Sequence, residues 1–289
     1  MNVGLFFQCV VNGLAIGGIY AVVAAGFTLI LGVMKIMNFG QGQFYMLGAF
    51  VSYGLCEVFH LHYAIGLVSA FVTMAFLGIV LQRFVIRYTY EGFFHTVLAT
   101  TAFATIINQI AVISFGKADR FMSPVIKGRV AVSGIVVSND KILLIGIGII
   151  LFVALHYFMK TKVGKAMRAV TENQETAGLQ GINARQIFTI TMAVGCGMAG
   201  VAGTLVLPIL GARADMGLSI FVKILLVIII GGMGSMPGAL LAALIVGLVE
   251  SFGYQFVGGY NELLLTCCLL PLLYFRPGGL LGKPFAIPE

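Results

Sequence analysis

A chain of 289 residues with 60% apolar and only 9% charged side chains cannot wet its own surface, since a soluble domain carries roughly 25% charged residues. That excludes an ordinary soluble domain. The formal charge of +7 sits in short segments between apolar runs, as a positive-inside bias would place it, and points to membrane topology rather than to nucleic acid. Seven charge-free stretches, 2–34, 36–56, 58–82, 92–116, 142–159, 186–212 and 224–249, each reach the roughly 18 residues of a spanning helix. An eighth, 251–275, is interrupted only by Glu262. Backbone groups in hydrocarbon must be satisfied within the segment, so these spans are expected to be helices, whereas a barrel would show short alternating strands. The expected fold class is an all-α integral membrane protein, a polytopic bundle of about eight transmembrane helices forming a single domain over 1–289.

In chain order, helices are expected near 8–34, 39–59, 63–87, 93–115, 140–159 and 186–210, with two or three more between 218 and 275. The first residues carry no Lys or Arg and no small-residue cleavage site, so no removable signal peptide is expected and the first helix stays. Between the first two spans, Asn38-Phe39-Gly40-Gln41-Gly42 predicts a broken helix. The 117–141 segment, with Val125 to Val132 and then Gly134 to Val137, partly alternates apolar and polar residues and predicts a short β-hairpin outside the membrane. The 160–185 segment opens with Lys160, Lys162, Lys165 and Arg168. Its Thr171-Glu172-Asn173-Gln174 has a capping-box pattern, and Gly181 is a plausible stop, so a short surface helix is expected over about 172–180. Asn183-Ala184-Arg185-Gln186 repeats the capping logic for the next span. The 160–185 and 117–141 segments carry five Lys/Arg each. Arg83 and Arg87 fall on the side of 160–185, which favours that side as cytoplasmic. Within 218–257, the run Gly231 to Gly238 concentrates helix breakers; a broken helix, a hairpin of two short helices or one kinked span would all fit. The two glycine-rich breaks, near 38–42 and 231–238, are faintly alike, as in transporters built from repeats.

Small residues recur at helical spacing: Gly13 and Gly17, Ala199 and Gly203, then Ala239, Ala243 and Gly247. They predict close helix packing rather than a ligand site. The five cysteines, Cys9, Cys56, Cys196, Cys267 and Cys268, lie in apolar runs without metal-ligand spacing and read as small buried hydrophobes. Phosphate-loop, nucleophile-elbow, HExxH and CxxC signatures are absent, so no catalytic residue and no metal site is expected. Lys35, Asn38, Gln41, Asn108, Gln109, Lys223, Glu250 and Glu262 would be costly facing lipid. They either line a cavity or snorkel to the interface; for Asn38 and Gln41, beside Gly40 and Gly42, an opening onto a pathway is expected. Glu250 could pair with a basic residue, which the sequence does not name.

Four segments in order, Gly32 to Gly42 with Tyr45 to Ala49, Gly164 to Ala169 with Gly181 to Asn183, Gly231 to Ala239, and Phe275 to Leu280, resemble the permeases of branched-chain amino acid importers driven by an ATP-binding cassette. The resemblance covers nearly the whole chain. It implies a multi-pass permease subunit in a bacterial inner membrane, which binds no cofactor itself. ATP and Mg would be held by two cytoplasmic ATPase subunits, with a second homologous permease subunit, a periplasmic solute-binding protein and membrane lipid as the other partners, and no nucleic acid. It further implies an ATPase-coupling helix in 160–185, with Arg168, Glu172, Glu175, Ala177, Gly178, Leu179 and Gly181 as candidates; the family's usual coupling motif is only loosely present. Candidates for the translocation pathway are Asn38, Gly40, Gln41, Gly42, Tyr45, Gly234, Ser235, Pro237 and Glu250. A secondary transporter or channel is the first rival and would need more buried carboxylates than Glu250 and Glu262. A membrane-embedded enzyme, the second rival, would need clustered Asp, His or Glu at a membrane surface.

Overall fold

The computed structural model describes residues 3–89, 92–116, 118–126, 128–132, 135–258, 267 and 278–281. The helices are α1 (Val3–Met34), α2 (Gln41–Tyr53), α3 (Tyr63–Leu81), α4 (Arg87–Thr89), α5 (Phe93–Phe115), α6 (Asn139–Phe158), α7 (Lys162–Glu172), α8 (Gln174–Leu179), α9 (Ala184–Leu210), α10 (Met216–Gly231) and α11 (Met236–Val257). Two π-helical turns, Gly54–Val58 and Gln82–Ile86, prolong α2 and join α3 to α4. Among the described residues six helices are long and apolar enough to cross a membrane: α1, α3 with its continuation, α5, α6, α9 and α11. The chain is thus an all-α polytopic membrane protein. With 16 residues, α10 is a shorter apolar helix. Residues 259–266 and 268–277, with Glu262 and the first half of the Phe275 to Leu280 motif, lie outside the described residues.

Of the three readings of 218–257, the structure takes two helices joined by a tight turn. Gly232 (φ 96°) and Gly234 (φ 82°) adopt left-handed conformations that L side chains avoid. Ser235 then restarts the helix, its Oγ accepting from Gly238 N at 3.2 Å, with Pro237 in the first turn of α11, where a missing N–H costs nothing. In the 117–141 segment, Arg129–Val132 (β1) pairs antiparallel with Ile135–Ser138 (β2), Arg129 opposite Ser138 and Val132 opposite Ile135.

Helix α9 is the hub, packed against α1, α2 and α3. Its glycines explain how. A Cβ on Gly203 would collide with the backbone of Tyr45 in α2, one on Gly48 with Gly200, and one on Gly26 of α1 would lie 2.6 Å from Gly195 O. The other close seam joins α1 to α11, where Gly13 approaches Leu248 Cα at 2.8 Å and Gly17 approaches Leu244 Cα at 3.0 Å, each measured from where a Cβ would stand. The small-residue spacing read from the sequence therefore marks backbone-to-backbone seams, the means by which helices associate where lipid removes the hydrophobic drive. By contrast α3, α5 and α6 keep large apolar side chains such as Phe76, Leu98, Ile113 and Ile150 exposed, as an outer layer facing lipid or another subunit does.

These seams set the ends of the bundle. Gly18 and Val22 of α1 meet Leu144 and Gly148 of α6, so the two run parallel. Gly32 near the end of α1 lies beside Gly234. Hence the end of α1, the α10–α11 turn and the α7–α8 segment share one end, and β1–β2 lies at the other, where Lys141 Nζ donates to Asn12 Oδ1 at 2.7 Å.

Gly48→Val is expected to lower unfolding stability in detergent by at least about 1–3 kcal/mol, the usual cost of overpacking. Gly54→Ala, whose Cβ would meet nothing, should leave it unchanged or slightly higher. Thermal unfolding of the purified chain followed by size exclusion separates the two.

Candidate functional site

The break after α1 is a polar knot. Lys35, exposed and at φ 55°, ends the helix, and the chain returns through Met37 to Gly40. Asn38 and Gln41 are both 0% exposed. Asn38 Oδ1 accepts from Gly40 N at 3.0 Å, Asn38 Nδ2 donates to Gln41 Oε1 at 3.4 Å, and Gln41 Nε2 donates to Gly195 O at 2.9 Å. Since α9 runs from 184 to 210, that last bond places the start of α2 about halfway along the bundle. The expectation that Asn38 and Gln41 open onto a pathway is not what the structure shows: their polar atoms are spent closing the break, because amide groups at this depth without partners would cost several kcal/mol each. Gly42 serves contact instead, and a Cβ there would strike Gly217 O.

At the second break the C-terminal motif supplies what the sequence could not. Leu280 N donates to Ile230 O at 2.7 Å and Leu281 N to Gly231 O at 3.1 Å, so carbonyls at the end of α10, orphaned by the turn, are satisfied from about 50 residues away. Gly279, at φ 74°, stands where a Cβ would be 2.6 Å from Gly232 Cα.

Two cavities flank α10. The larger, about 850 Å³, opens between α5 and α10 and is lined by Phe39, Gln43, Thr101, Thr105, Asn108 and Phe221 among others. The smaller, about 240 Å³, lies between α1, α9 and α10 and is lined by Tyr20, Tyr45, Arg213, Ser219, Lys223 and Glu250 with apolar neighbours. Arg213 and Ser219 line both. Of the pathway candidates, Tyr45 and Glu250 come together here. Asn38, Gly40, Gln41, Gly42, Gly234, Ser235 and Pro237 line neither cavity and belong to the two breaks. Glu250 finds its partners: Lys223 Nζ bonds Oε1 at 2.5 Å, and the Tyr20 hydroxyl donates to Oε2. Lys223 also lies 5.9 Å from the centre of the Tyr20 ring. The sequence singled out Lys223 but not Tyr20, Arg213, Ser219 or Gln43. Only the polar stripe Thr101, Thr105 and Asn108, at i, i+4 and i+7 on α5, carried a signal that could have found the larger cavity.

The 160–185 segment folds as two short helices rather than one. Thr161, not Thr171, caps the first, accepting from Gly164 N at 3.3 Å. Thr171 lies inside α7, donating to Met167 O at 2.8 Å. The cap of α8 is Asn173, whose Oδ1 accepts from Glu175 N at 2.9 Å and Thr176 N at 3.0 Å. Asn173 outcompetes Thr171 because its φ of −155° and ψ of 114° are those of an N-cap. The capping of α9 by Asn183 is as expected, with bonds to Arg185 N and Gln186 N. Gly164, Met167 and Val170 bury one face of α7, and Ala177 alone anchors α8. Glu172, Glu175, Gly178 and Gly181 are exposed, and Leu179 is 90% exposed. Arg168 is exposed but occupied, donating to Met159 O at 2.5 Å. Arg83, Arg87 and Arg185 line one groove beside this loop, which puts the two arginines of the 82–89 turn at the same end as 160–185.

The fold is that of a many-spanning helical membrane protein with two partly polar cavities beside α10. Residues 9–273 match the family of branched-chain amino acid transport system permease components, and the chain belongs to it. It is 31% identical to the high-affinity branched-chain amino acid transport system permease protein BraD of Pseudomonas aeruginosa, over 96% of both chains. It is 26% identical to LivH of Escherichia coli K12, again over 96% of both. LivM of that organism matches at 25% over 52% of this chain and 36% of its own. Among solved structures, PsaBC from Streptococcus pneumoniae in complex with Fab aligns with a TM-score of 0.52 at 11% identity, over 96% of this chain and 92% of that one, which shows a shared fold.

Asn38→Ala and Gln41→Leu should each cost about 1–3 kcal/mol of stability, the penalty for stranding buried hydrogen-bonding groups. Because the two side chains share a bond, the double variant should cost less than the sum, a difference that a double-mutant cycle of detergent unfolding will measure.

Proposed function

We propose that the chain is the transmembrane permease subunit of an ATP-binding-cassette importer. It moves branched-chain amino acids, or a related small amino-acid-like solute, into the cytoplasm across a bacterial inner membrane. The observation that carries this reading is end-to-end similarity, 31% identity over 96% of both chains to BraD, with the family match over 9–273. Pairing with a second, homologous permease is supported by the matches to both LivH and LivM, two permease proteins of the same-named system in one organism. ATP and Mg reside on two cytoplasmic ATPase subunits, and a periplasmic binding protein delivers the solute.

The α7–α8 segment is the coupling element. A contact that transmits force must be stiff and must offer something to grip. The two caps and the buried face of α7 supply stiffness, while Leu179 with Glu175 and Glu172 offers an apolar point ringed by acid. Ala177 holds the helix to the bundle, and Gly178 and Gly181 leave room for close approach. ATP binding draws two such elements together and switches the access of the cavities around α10 between the two faces. The breaks at 38–42 and 232–237 act as pivots, and Tyr45 and Glu250 line the path.

Leu179→Asp, combined with Glu175→Lys, is expected to abolish the rise in ATPase rate that the loaded binding protein causes in the purified complex, with at least a tenfold loss of ATP-driven leucine uptake in proteoliposomes. Both side chains are exposed, so folding should be unaffected. Wild-type stimulation in the variant would overturn the assignment of this helix, and a wild-type complex that drives ATP-dependent import of neither leucine, isoleucine or valine nor any other small amino acid would overturn the importer reading.

A further inference from the structure

Ionisable groups inside a membrane bundle are costly and, where kept, mark function. A buried ion pair gains little net stability, because desolvating both charges offsets most of their attraction, so its retention calls for another reason. Lys223 and Glu250 are not packed away. Their side chains retain 20% and 12% exposure, and both line the 240 Å³ cavity. The same cavity is lined by Tyr20, Tyr45, Ser219 and Arg213, the last paired with Asp215 at 3.2 Å. The remaining walls are apolar: Ile16, Ile19, Val206, Leu210, Met216 and Ile220. Opposite charges side by side on one wall, facing an aliphatic wall, form the complement of a molecule that carries adjacent opposite charges and an aliphatic side chain. At roughly 30 Å³ per water the cavity has space for a solute of amino-acid size.

We propose that Lys223 and Glu250 form a zwitterion-reading site. The solute's ammonium displaces Lys223 from Glu250, which Tyr20 keeps in place. Lys223, with Arg213 beside it, takes the carboxylate, and the aliphatic side chain lies against Ile16, Ile19, Val206 and Ile220. The empty pair closes on itself, so neither charge is stranded between turnovers. Because Lys223 stands on α10 and Glu250 on α11, opening the pair also parts the two arms of the hairpin, which links occupancy to the movement of α10. Arg213 and Ser219, shared with the 850 Å³ cavity, mark the way in. The site rests on the importer reading above.

The test has two arms. In proteoliposomes bearing the full complex, Glu250→Gln and Lys223→Met are expected to reduce ATP-driven leucine uptake roughly 30-fold or more, the scale of losing one partner of a buried charge pair. The exchanged variant, Lys223→Glu with Glu250→Lys, restores an ion pair but reverses its polarity relative to Tyr20 and Arg213, and it should remain inactive while unfolding near the wild-type temperature. Uptake restored by the exchange would mean that the pair is only a clamp and would overturn the proposal, as would single variants that transport within twofold of wild type. The second arm disturbs neither charge. Ser219→Cys is labelled with a water-soluble methanethiosulfonate in the complex without ATP, with and without millimolar leucine. Slower labelling with leucine, and no slowing by the uncharged isovaleramide, is the expected result. No labelling, or equal rates in all conditions, overturns the site. This arm involves no transport, so it judges the site even if the wild-type complex fails to import.

Discussion

Helices in lipid gain nothing by hiding apolar surface from water, so this bundle depends on how closely its backbones can approach one another. The glycines of α9 and those facing it carry that constraint. Gly195, Gly200 and Gly203 bring α1, α3 and α2 into backbone contact with one helix, and Gly13, Gly17 and Gly247 do the same for α1 and α11. Dispersion between closely spaced backbones replaces the hydrophobic effect as the source of cohesion. The interior is correspondingly dense, with α1 and α9 mostly buried and α3, α5 and α6 left as an outer layer. Two of the volumes that escape this density lie beside α10, an apolar helix of only 16 residues.

The second constraint follows from the first. Where helices pack this closely, each interruption of a helix must be repaired locally. Asn38 and Gln41 repair the break after α1 by bonding Gly40, each other and Gly195. Ser235 and the 280–281 backbone repair the break between α10 and α11. These are the places where the chain can change direction without melting, because each is held by a few identifiable bonds rather than by a continuous ladder. Helices α10 and α11 are therefore anchored at the turn and joined again by Lys223 and Glu250 farther along. A movement of α10 must either break that ion pair or carry α11 with it.

The loop 160–185 shows the same economy outside the bundle. The buried face of α7 rests on α1 and α9, and α8 stands on Ala177, so the loop is seated on the helices that contain the glycine seams. Its helix ends are closed by the caps at Thr161, Asn173 and Asn183.

Much of this protein was legible in the sequence because the signals are local or strictly periodic. Charge-free runs marked five of the six described spans, although 36–56 became the shorter α2 and 224–249 is split by the α10–α11 turn; small residues at every fourth position defined the seams, and Asn183 announced the start of α9. Local reading faltered where two local signals competed. Thr171 and Asn173 could each cap a helix, and only the backbone angles chose Asn173. It faltered again where a polar side chain could be either a lining or a repair, as with Asn38 and Gln41, since the sequence does not say whether a cavity lies beside them. What tertiary structure alone decided is which distant groups meet: Tyr20 and Lys223 with Glu250, the 278–281 segment with the end of α10, Arg213 and Ser219 with both cavities. The physical reason is that lipid and close packing dictate what kind of residue each segment contains, a demand met within a turn or two of helix, whereas pairing a buried charge depends on the crossing of helices far apart in the chain.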